Sequence, residues 1–156
     1  MSGWQFQSVN KAKIKEPILL SAIMFLSYFF GNVIDYFVNL KAFISYFHPN
    51  SYYLVLDILT ALLIYKVVNV TSRQGQLCKF YLLCGLLFNA LLFLIIQIDI
   101  FLVYEGFKPY ERWWLWYVFS IGINSSDAIM VLVLILQKDF LKIYCLFNKA
   151  KCGLGK

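Results

Sequence analysis

Residues 76–104 read QLCKFYLLCGLLFNALLFLIIQIDIFLVY, with Lys79 and Asp99 as the only charged positions and no proline. An α-helix advances ~1.5 Å per residue, so ~20 apolar residues cross the ~30 Å of bilayer hydrocarbon. The stretch exceeds that length and predicts a membrane-spanning helix that tilts or projects at one end. Working outward, the same reading applies to residues 113–137 on one side and to 51–70 and 17–40 on the other. The whole chain of 156 residues is 62% hydrophobic and 14% charged, where soluble domains hold about 45–50% and about 25%. With a mean hydropathy of +0.72, this balance excludes a soluble domain, a disordered chain and a disulfide-stapled secreted module.

The expected fold is an all-α integral membrane four-helix bundle with short loops and antiparallel neighbours. Residues 1–16 form an amphipathic segment ahead of it, residues 17–137 the bundle, and residues 138–156 a basic tail. Pro17 suits the first turn of the first span, where its missing N–H has no helical partner. His48, Pro49 and Asn50 mark the turn before the second span. The apolar run from Ile18 to Val38 is longer than a signal-peptide core, so the first span is expected to be retained.

Positive charge sets orientation, because cytoplasmic loops keep an excess of Lys and Arg. Lys11, Lys13, Lys15, Lys66, Arg73, Lys79, Lys138, Lys142, Lys149, Lys151 and Lys156 fall on one side. Only Lys41, Lys108 and Arg112 fall on the other. This asymmetry places both termini in the cytosol, with the plasma membrane, in bacteria the inner membrane, as the location. Trp113, Trp114, Trp116, Tyr117, Tyr52 and Tyr53 form an interfacial aromatic belt at the outer surface.

Polar side chains within the spans carry the most functional information, because a buried charge costs at least ~2.5–3.5 kcal/mol there. Tyr28, Asn32, Asp35 and Asn39 share one helical face of the first span, and Tyr53, Asp57 and Thr60 one face of the second. Gly85, Asn89, Ile96 and Asp99 share a face of the third, with Gln97 beside it. Ser120, Asn124 and Asp127 share a face of the fourth. Counted along the spans, Asp35, Asp57 and Asp99 lie about 6–9 Å below the outer surface, with Asn89 and Asp127 near the midplane. This spacing describes an acidic vestibule above a polar constriction, or a set of interhelical hydrogen bonds.

The tail from Lys138 to Cys152 has helical spacing and is expected to extend the fourth helix along the membrane surface, with Lys138, Lys142, Lys149 and Lys151 meeting anionic lipid or an acidic partner. Arg73 belongs to the same basic face. Cys78, Cys84, Cys145 and Cys152 all fall on the cytosolic half and are expected to stay reduced. No metal or cofactor site follows from a lone His48, and no catalytic residues or phosphate-binding motif are found, which argues against an enzyme. Small residues Gly31, Gly85, Gly122, Ser125 and Ser126 allow close helix approach and predict a homo-oligomer, with a tetramer the simplest closed form around a shared polar face.

This plan of four aromatic-rich spans, basic cytosolic ends and no catalytic motif looks like the small membrane subunits of bacterial anti-phage operons, the membrane subunit of the Kiwa system among them. The resemblance lies in the architecture. It implies an oligomeric inner-membrane sensor or anchor that engages a cytosolic effector through its positive face, touching nucleic acid only indirectly. The alternative is a small cation channel or transporter lined by the intramembrane aspartates.

Overall fold

The computed structural model describes residues 3–37, 51–102 and 113–147, helices joined by short connections, with no strand among them. The helices are α1 (Gly3–Phe37), α2 (Tyr52–Val67), α3 (Arg73–Leu102), α4 (Trp114–Leu136) and the short α5 (Ile143–Phe147). Three are long and apolar enough to cross a membrane: Lys15–Ile34 within α1, α3, and α4. The 16 residues of α2 span about 24 Å, short of the bilayer core on their own.

The third helix is the hub, packing against α1, α2, α4 and α5. Its central role follows from its small and polar positions. Met130 of α4 lies against Gly85 and leaves no room for a Cβ there, which brings the two backbones close. Leu20, Ile64, Leu82, Leu86, Met130 and Val133 form the apolar interior. Around it, Phe25, Phe29, Leu91, Ile98, Ile121 and Ile135 are exposed, an apolar exterior that only lipid would wet favourably.

Two expectations change here. Pro17 lies inside α1, because the helix begins at Gly3 and runs on without interruption. Proline forfeits one i→i−4 hydrogen bond, a cost the long helix absorbs. The tail does not extend α4. Gln137 takes a left-handed conformation (φ 52°) and Lys142 another (φ 57°), so the chain turns and α5 folds back onto α3. Tyr144 is buried there, its hydroxyl reaching Gln76 Oε1 at 3.4 Å and its ring meeting Phe80 edge-on at 5.5 Å.

The fold is held together at this end by long-range caps. Glu16 accepts hydrogen bonds from Thr71 N (2.8 Å) and Ser72 N (3.1 Å). Ser72 Oγ in turn accepts from Gly75 N at 2.9 Å, the standard first-turn cap of α3. Lys79 Nζ donates to Tyr65 O (3.0 Å) and Val68 O (2.7 Å), satisfying carbonyls left open where α2 ends. Asp139 accepts from the Tyr81 hydroxyl and from Cys145 N at 2.8 Å.

Candidate functional site

A polar layer crosses the bundle with one residue from each long helix. Tyr28 comes from α1, Asp57 from α2, Asn89 from α3 and Asp127 from α4, and all four line one cavity of about 210 Å³. Each helix supplies its member because the 3.6-residue period turns its polar face inward at this level. Asp127 Oδ1 accepts twice, from the Tyr28 hydroxyl at 2.6 Å and from Asn89 Nδ2 at 2.8 Å. Three helices are thereby tied through a single oxygen. Asp57 is 6% exposed and Asn89 2% exposed. The side-chain oxygen of Asn89 has no hydrogen-bond partner, an arrangement that costs free energy in a water-poor interior.

Aromatic rings close the cavity one turn away. Tyr53 stacks on Phe93 at 6.2 Å, and Phe93 meets Phe119 edge-on at 5.1 Å. Tyr53 also fills the space beside Gly31, where no Cβ fits. Tyr28 and Asp127 border a second, almost wholly apolar groove of about 410 Å³ between α1 and α4, so their hydrogen bond stands between the two spaces.

The site residues expected from the sequence divide into three sets. Asp57, Asn89 and Asp127 come together. Asn32 lines the same cavity but is exposed and spends its amide on Tyr28 O at 3.0 Å. Asn124 stays apart, exposed and bonded to Ser120 O of its own helix at 2.7 Å. Asp99 is buried elsewhere, accepting from Trp113 Nε1 at 3.0 Å. Asp35 lies on α1 with its side chain outside the described residues; Asn39, His48, Lys149, Lys151 and Cys152 fall outside them altogether.

Among the described residues, Asp99 does not line the cavity that holds Asp57. The depth of Asp57 changes because α2 begins well below the end of α3: Ser51 Oγ donates to Gln97 Oε1 at 2.7 Å, which sets Asp57 opposite Asn89. Tyr28 is the member that sequence reasoning placed on a polar face without assigning it to the site. Its signal was the i, i+4 spacing to Asn32.

At the end of the bundle carrying the helix caps, Lys15, Lys66, Arg73, Lys138 and Lys142 are exposed. The two acids at this end, Glu16 and Asp139, are occupied by the caps described above. Cys78 and Cys84 are free, whereas Cys145 is disulfide-bonded, against the expectation that every thiol stays reduced. No group of three or more His, Cys, Asp or Glu able to hold a metal occurs among the described residues. No family model, curated protein or solved structure matches the chain.

Proposed function

We propose that this protein is a non-enzymatic membrane anchor or sensor that crosses the bacterial inner membrane four times, with both ends in the cytosol, and holds a cytosolic effector against its basic face. The fourth crossing is α2, with residues on either side of Tyr52–Val67 completing the span. The protein assembles as a homo-oligomer, a tetramer being the simplest closed form, and the resemblance in plan to anti-phage membrane subunits assigns the effector to defence.

The observation carrying this reading is the uncompensated charge at one end. Its exposed cations form no ion pair among the described residues, while Glu16 and Asp139 are turned inward as helix caps. A face kept positive in this way attracts an acidic protein surface or anionic headgroups. The test is co-purification of a cytosolic partner from native membranes. Replacing Lys138, Lys142 and Lys149 together by Gln is expected to release it at physiological salt, and unchanged recovery would defeat the proposal.

The channel reading draws less support. Asp99 and Asn124 lie away from Asp57 and Asp127, and Asp127 is tied across three helices instead of lining an open path. Cation flux in proteoliposomes is expected to stay at the level of empty vesicles.

A further inference from the structure

We propose that the cavity formed by Tyr28, Asp57, Asn89 and Asp127 binds one alkali-metal cation within the bundle, as a bound ion that locks the helices together. This goes beyond the anchoring role and rests on different residues.

The first observation is unequal compensation of two carboxylates. Asp57 and Asp127 line one cavity. Asp127 is met by two donors, the Tyr28 hydroxyl and the Asn89 amide. Asp57 is more deeply buried than Asp127 and accepts no hydrogen bond among the described residues. No Lys, Arg or His among the described residues lines the cavity. An ionised carboxylate in such a place requires a positive charge that no described residue supplies.

The second observation is independent of the acids. Asn89 donates its Nδ2 to Asp127, which fixes which way the amide faces, and its Oδ1 is buried with no partner. An orphaned carbonyl oxygen beside an uncompensated carboxylate is a ligand pair for a cation. Asp127 Oδ2, left over from the two bonds at Oδ1, completes a set drawn from three helices.

Ligand chemistry selects the class of ion. The donors are all oxygens, with no imidazole or thiolate, so the site suits a hard cation. Three side-chain oxygens fall short of a full shell for any hard cation, so water within the space of about 210 Å³ completes the coordination and charge selects the ion. A single positive charge matches what Asp57 lacks, since Asp127 already has its donors.

The test uses the full chain in lipid nanodiscs with 22Na+ as the probe. Saturable binding approaching one ion per chain is expected, displaced by unlabelled Na+ and not by choline. Asp57→Asn is expected to weaken binding by at least about tenfold. Thermal unfolding followed by Trp fluorescence should rise with Na+ at constant ionic strength in the wild type and not in Asp57→Asn. Absence of 22Na+ binding to the wild type at physiological salt overturns the proposal, whether or not the variant folds. A stability that follows pH but ignores Na+ also overturns it, and would assign the missing charge to a proton on Asp57.

Discussion

Asp127 joins Tyr28 and Asn89 through one oxygen atom, so the three side chains contribute unequally to the bundle. Removing the Tyr28 hydroxyl leaves Asp127 with the Asn89 amide and deletes one interhelical hydrogen bond, of the kind worth ~0.6–1.7 kcal/mol in membranes. Removing the Asp127 carboxylate leaves both a buried hydroxyl and a buried amide without an acceptor, a larger penalty of about 1–3 kcal/mol for each stranded group. Tyr28→Phe is therefore expected to destabilise the protein by about 1 kcal/mol, and Asp127→Leu by clearly more. Unfolding in micelles measures the order, and a greater loss from Tyr28→Phe would mean that the ring and not the carboxylate organises the layer. The sequence made Asp127 and Asn89 visible through polarity at depth. It could not separate them from Asn32 and Asn124, which lie on the polar faces of the first and fourth spans. Those two amides satisfy themselves on the carbonyl four residues earlier, a local bond that leaves no mark on periodicity.

At the scale of the helices, the junction of α1 with α3 shows why boundaries were less legible than the elements themselves. Long apolar runs announced α1, α3 and α4, because hydropathy measures what lipid will accept. Helix ends depend instead on which distant side chain reaches the open N–H and C=O groups. In a capping box the third helical residue returns a carboxylate to the cap's own N–H. In α3 that position is Gly75, and Glu16 supplies the carboxylate from α1, 56 residues away from Ser72. The glycine makes room for it: a Cβ at residue 75 would collide with Glu16 Oε2. The same principle turns the tail, where Asp139 holds Tyr81 and the backbone of α5 together. Gly75→Ala thus pits two effects against each other. Alanine is favoured over glycine by about 1 kcal/mol in a helix interior, but here it displaces a charged cap whose bonds are worth more together. The expected outcome is a net loss of stability with faster amide exchange at Thr71 and Ser72; a stabilised variant would mean that Glu16 moves aside at little cost.

For the whole molecule, the apolar exterior and the polar layer reverse the arrangement of a soluble bundle, and that inversion was legible from composition alone. What composition could not give is the vertical offset of the helices. Counting residues from span ends assumes that all ends are level, whereas the Ser51 to Gln97 contact lowers α2 and carries Asp57 to the level of Asn89. The offset also explains how a helix of 16 residues contributes to a bundle whose central helix has 30. The direction of insertion rests on lysine distribution, and it meets a counter-indication in the Cys145 disulfide, because cytosolic thiols are normally kept reduced. Accessibility decides between the two. In a chain with all four cysteines replaced by Ser, a single cysteine at Lys138 is expected to resist a membrane-impermeant maleimide in intact cells, once the outer membrane is breached, and to react fully after the inner membrane is opened. A single cysteine at Lys108 is expected to react before that step. If the two positions exchange behaviour, the basic face looks into the periplasm, the disulfide is at home there, and any partner must be sought on that side.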